Sequence, residues 1–92
     1  MNTRTTKEEI WHPLHRLWTK AVGTDGYVKR EWQELETQVV RRLRGEETHP
    51  EVLPWESTRE LVHTLWGKAK ENPDYTKAEW DTFEQLVQRL CA

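Results

Sequence analysis

One cysteine, one serine, one phenylalanine and one methionine are all that the 92 residues hold of these types, and each scarcity closes off some chemistry. With Cys91 alone, neither a disulfide nor a cysteine-ligated zinc site can form within the chain, which favours a reducing compartment. Nucleophilic catalysis needs an activated Ser, Cys or Lys beside a base, and no such constellation can be named. Cys91 lies at a fraying end, Ser57 reads as a helix cap, and the carboxylates are spread along solvated helix faces. A glycine-rich phosphate loop is also missing. No apolar run approaches the length of a membrane span, and the polar stretch Met1 to Glu9 lacks the core of a signal peptide. Charge of one sign is not in excess either: the net charge is -2 and the pI about 6.1, so no long-range field draws the chain to polyanions. These absences lead to the expectation of a cytoplasmic, non-enzymatic protein without cofactor.

Against this stand six tryptophans, each able to bury a large area and so to anchor a thin core. Apolar residues are few but fall in periodic clusters, the pattern of a folded chain. Shifting the sequence by 48 positions aligns His15 to Leu43 with His63 to Cys91 without gaps, and 12 of the 29 positions are identical. Unrelated sequences would share about two. The common pattern is LWxKA, a short connector, then YxKxEW. The chain therefore reads as one helical domain, residues 1–92: unit one at about 6–44, a connector at 45–56, and unit two at about 57–91. A pseudo-twofold axis should relate the units.

Each unit carries two apolar stripes of helical period. In unit one these are Ile10, Leu14, Leu17, Trp18, Ala21 and then Val28, Trp32, Leu35, Val39, Leu43. In unit two they are Leu61, Val62, Leu65, Trp66, Ala69 and then Trp80, Phe83, Leu86, Val87, Leu90. Four stripes joined by short connectors predict an all-α four-helix bundle of two duplicated antiparallel helix–loop–helix units.

The helix ends have their own signals. Thr6-x-x-Glu9, Ser57-x-x-Glu60 and Thr76-x-x-Glu79 have capping-box spacing. Tyr27 with Trp32, and Tyr75 with Trp80, sit at the two ends of a hydrophobic staple. Gly23 and Gly45 stand where a left-handed residue ends a helix, and Asn72-Pro73 stops the third. Pro13 requires either a kink in the first helix or a helix that starts at His12.

Trp18, Trp32, Trp66 and Trp80 belong to the repeat and read as core. Trp11 and Trp55 do not, and they are divided between packing and partner contact, since exposed tryptophans are frequent binding hot spots. Arg41, Arg42 and Arg44 end the second helix, where positive charge suits the exposed carbonyls; they are also a candidate contact patch. His12 and His15 lie three apart, as two metal ligands on a helix would, but a third ligand is not indicated. Asp25-Gly26 followed by Glu31 lacks the alternating oxygen ligands of a calcium loop, so a tight turn accounts for it.

The segments His15-Arg16-Leu17-Trp18-Thr19-Lys20-Ala21 and His63-Thr64-Leu65-Trp66-Gly67-Lys68-Ala69 resemble the LWxKA helices of the receptor-associated protein family, helical-bundle chaperones of lipoprotein receptors. The resemblance covers the two 29-residue stretches and implies helical hairpins. That family works in the secretory pathway with basic surfaces and a C-terminal retention signal, features this sequence does not carry, so the resemblance implies no function here. The expected role is a small protein-binding module, an adaptor, inhibitor or regulatory subunit that acts on another protein. A self-associating structural protein, as in a homodimer, is the near neighbour. A nucleic-acid-associated regulator using Arg41, Arg42, Arg44 and Lys68 is the alternative from another class.

Overall fold

A computed structural model describes residues 7–91. They form four helices: α1 (Lys7–Ala21), α2 (Lys29–Leu43), α3 (Trp55–Ala69) and α4 (Lys77–Cys91). Each has 15 residues, and the bounds of α3 and α4 are those of α1 and α2 moved by 48 positions, the offset of the repeat. No strand occurs among the described residues. The arrangement is an all-α four-helix bundle.

Packing follows the stripes. Ile10, Leu14 and Leu17 of α1, Trp32, Leu35 and Val39 of α2, Val62 and Leu65 of α3, and Trp80, Phe83, Leu86 and Val87 of α4 fill one core. Trp18, Ala21, Leu43, Leu61, Trp66, Ala69 and Leu90 pack on it half-buried. Across the units, α1 lies on α4 and α2 on α3, while α2 and α4 also touch each other in the middle. The shape is flattened, 37 × 30 × 19 Å, so its thin dimension is about two helix diameters. Burying an indole such as Trp32 (2% exposed) or Trp80 (1%) is what lets so thin a body keep a dry interior. Val28, placed in the second stripe by its spacing, is instead 44% exposed. It is the N-cap of α2, and its extended backbone (φ -129°) takes it off the helical face.

The short connectors repeat as well. Thr24 N–H donates to Ala21 O at 3.0 Å and Tyr27 N–H to Thr24 O at 3.2 Å; Asn72 to Ala69 O (2.9 Å) and Tyr75 to Asn72 O (2.9 Å) form the same pair of turns. Tyr27 and Tyr75 precede the N-caps and Trp32 and Trp80 are the fourth helical residues, the staple positions. Thr76 directly precedes α4, at the N-cap position its spacing to Glu79 predicts.

Several expectations about helix ends are corrected. Ser57 caps nothing: α3 begins at Trp55 after an extended Pro54 (φ -66°, ψ 166°), which puts Ser57 within the first turn. Proline pre-sets the entry angle, and an earlier start seats the Trp55 ring on the core. Trp55 therefore belongs to the helix and not to the connector. The helix α1 runs through Pro13 and starts well before His12. Gly23 does not take a left-handed φ, since a hydrogen-bonded turn ends α1 there. Gly45 does, at φ 76°. Its N–H donates to Arg42 O (3.1 Å) and that of Glu46 to Arg41 O (2.9 Å), the paired bonds of a Schellman ending. Thr6 lies outside the described residues.

The long connector is fastened to α2. The buried Gln38 side chain donates to Glu51 O (3.0 Å) and accepts from Leu53 N–H (2.8 Å). Arg41 pairs with Glu46 and Glu51 (2.9 Å each), and Arg42 donates to Leu53 O (2.7 Å). Unit two has Leu86 and Leu90 where unit one has Gln38 and Arg42, and among the described residues no second connector packs there.

Candidate functional site

Seven rings form a row across the bundle. Trp18 stacks on Trp32 at 6.0 Å between ring centroids, Trp32 meets Trp80 at 6.0 Å, and Trp80 stacks on Trp66 at 5.9 Å. His15 extends the row beyond Trp18 (5.8 Å) and His63 beyond Trp66 (5.4 Å). Trp11 adds a last ring on the unit-one side, 4.6 Å from His15, with Lys7 Nζ 5.7 Å from its centroid. At the corresponding place in unit two the sequence has Arg59, so the row ends at His63. Helical spacing brings Trp11, His15 and Trp18 to one side of α1, three and four residues apart.

Polar groups pin the row. The indole N–H of Trp18 donates to the Tyr27 hydroxyl (2.9 Å) and that of Trp66 to the Tyr75 hydroxyl (2.7 Å). His15 reaches Glu36 (3.3 Å), and His63 pairs closely with Glu84. At the junction of the units Lys20 Nζ binds Glu79 (2.5 Å) and Lys68 Nζ binds Glu31 (2.6 Å). Glu79 also receives Arg16 (2.6 Å). The Lys20 hydrogen bond, helped by the charges of Lys20 and Arg16, holds its carboxyl below the ordinary carboxylate value against partial burial. A cavity of only about 20 Å³, room for about one water, lies between these groups.

The candidate partner residues are divided among separate tasks. Trp11 and Trp55 are half-buried on the core, one on α1 and the other opening α3. Arg41 and Arg42 hold the connector, Arg44 is the exposed C-cap of α2, and Lys68 is paired with Glu31. His12 and His15 are exposed, and no group of three or more metal-ligating side chains occurs among the described residues. Half-burial raises the Cys91 thiol above its usual value, with Arg42 opposing. The reciprocal lysine–glutamate pairs were missed in the sequence. Their signal was present, since Lys20/Lys68 and Glu31/Glu79 are repeat identities, but only the packing of α1 on α4 and of α3 on α2 shows which partner each lysine takes.

Comparison with known protein families, curated proteins and solved structures finds no match. No helix among the described residues is long and apolar enough to cross a membrane.

Proposed function

We propose that this chain is a non-enzymatic protein-binding module, an adaptor, inhibitor or regulatory subunit, that contacts its partner through the outer side of α1. The observation that carries this reading is the ring row ending in Trp11, half-buried and beside Lys7, in one unit only. Unlike Trp18, Trp32, Trp66 and Trp80, this ring has no counterpart in the other unit, where Arg59 stands. A partly exposed indole on a rigid helix offers a partner large contact area at small entropic cost, as binding anchors do.

Photo-crosslinking residues at Trp11, Trp55 and the exposed Gln85, compared in the native host, test the reading. A discrete adduct from Trp11 and none from Gln85 is the expected result. Adducts from Gln85 alone, or none from any position, would refute it.

A further inference from the structure

We propose that each hairpin unit is a self-complementary docking element, whose fitting partner is a second hairpin of the same pattern, so that two copies of this chain can assemble by exchanging units. The surface concerned is the face between the units, so the proposal is independent of the Trp11 reading.

The geometry at the junction carries it. Trp32 and Trp80 hold the same position in the two repeats, and they meet each other at 6.0 Å. A residue that touches its own equivalent lies beside a twofold axis. Lys20 of unit one takes Glu79 of unit two, and Lys68 of unit two takes Glu31 of unit one. These are one contact made twice, with the roles of the units reversed. Each unit thus carries both the lysine and the glutamate, and each lysine reaches across to the glutamate of the other unit. Apart from Thr76 and Glu79, the residues around the junction cavity come in equivalent pairs, including Leu17 with Leu65, Ala21 with Ala69 and Tyr27 with Tyr75.

A contact with that symmetry is isologous, the kind found in twofold homodimers: a surface that fits its equivalent under a twofold rotation also fits a copy of itself. The units are covalently joined, so within one chain they meet at high effective concentration and the closed form is favoured. The connector's fastening to Gln38, Arg41 and Arg42 lies within unit one and runs up to Leu53, so unit two would swing to another copy about Pro54, the one residue between that fastening and α3.

The ion pairs provide a test with the full chain. In variant K20E/E31K the closed form sets a carboxylate at position 20 against Glu79, and an ammonium at position 31 against Lys68. In K68E/E79K the same clashes arise from the other side. When the two variants are mixed, unit one of each chain regains opposite charges against unit two of the other. Native mass spectrometry of the mixture, with one variant isotopically labelled, should show a mixed dimer at twice the 11.1 kDa chain mass. It should be at least tenfold more abundant than in an equal mixture of labelled and unlabelled wild type. The fourfold variant K20E/E31K/K68E/E79K regains both cross-unit ion pairs within one chain, leaving only the exposed Arg16 against a like charge at position 79, and should match the wild type in oligomeric state. If either single-unit variant is unfolded alone, helicity recovered on mixing is the expected result. A mixture that equals the sum of its parts in mass and helicity would overturn the proposal, whether or not the separate variants fold.

Discussion

The two units share every helix boundary and most of the junction chemistry, yet they differ at the end where α2 hands over to the connector. At the junction end, each copy faces the other copy, so the same demand falls on both and the same residues meet it: Trp, Tyr, Lys and Glu at fixed places. At the far end, among the described residues, unit one alone receives a connecting segment. There Gln38 is buried at 2% exposure and satisfies two backbone groups of the connector, while its counterpart Leu86 packs in the core. Duplication preserves what symmetry needs twice and releases what it needs once.

Removing the shared rings should break the molecule on both sides alike. Trp32→Ala and Trp80→Ala are each expected to cost about 3 to 5 kcal/mol in urea unfolding, since each ring is buried and contacts the other. A difference between the two losses of more than about 2 kcal/mol would show that the axis position is not equivalent in the two units.

Exchanging the unshared residues sharpens the contrast. Leu86→Gln puts an amide into an apolar setting and should cost about 2 to 4 kcal/mol. Gln38→Leu keeps the apolar packing but strands the Leu53 N–H and the Glu51 carbonyl, for a loss of about 1 to 3 kcal/mol. Equal and negligible losses in thermal unfolding would mean that the connector is not held by Gln38.

The glycines test the same divide on a smaller scale. Gly45→Ala forces a side chain into φ 76° and should cost about 1 kcal/mol. Gly23→Ala meets open space and no left-handed backbone, so stability should stay level or rise by about 0.5 kcal/mol. Thermal unfolding of the two variants side by side checks the contrast.

The smallest effect concerns acid. Glu79 has a folded pKa below its unfolded value of about 4.3, so its stabilisation is present above that pH and fades as pH falls through the folded value. Glu79→Gln should cost under about 1 kcal/mol at pH 7, because ion pairs near the surface are screened. It should also flatten the acid limb of the stability curve, and an unchanged slope between wild type and variant would contradict the lysine contact.

Much of this architecture was legible in the residues. Periods of three and four placed the four helices, the 48-residue self-match placed their boundaries in register, and Tyr27, Tyr75, Thr76 and Gly45 took the positions their local chemistry suggests. Misreadings fell where local signals compete. Ser57 has capping-box spacing, but the fixed entry angle of Pro54 and the burial of Trp55 start the helix sooner. Gly23 looks like a helix end, but a pair of turns closed by backbone bonds ends α1 without it. The arginine run was read both as a helix end and as a contact patch, and its first two members bind the connector through their terminal guanidinium nitrogens.

By itself, then, the sequence determined the helices, their pairing into two like hairpins and the apolar sides that had to be hidden, because these follow from periodicity and the backbone preferences of single residues. Only the tertiary structure decided that Lys20 looks to Glu79 rather than Glu31, that Gln38 is interior, and that seven rings line up across the body. Those outcomes depend on which faces meet in space, a relation between distant segments that no local spacing encodes.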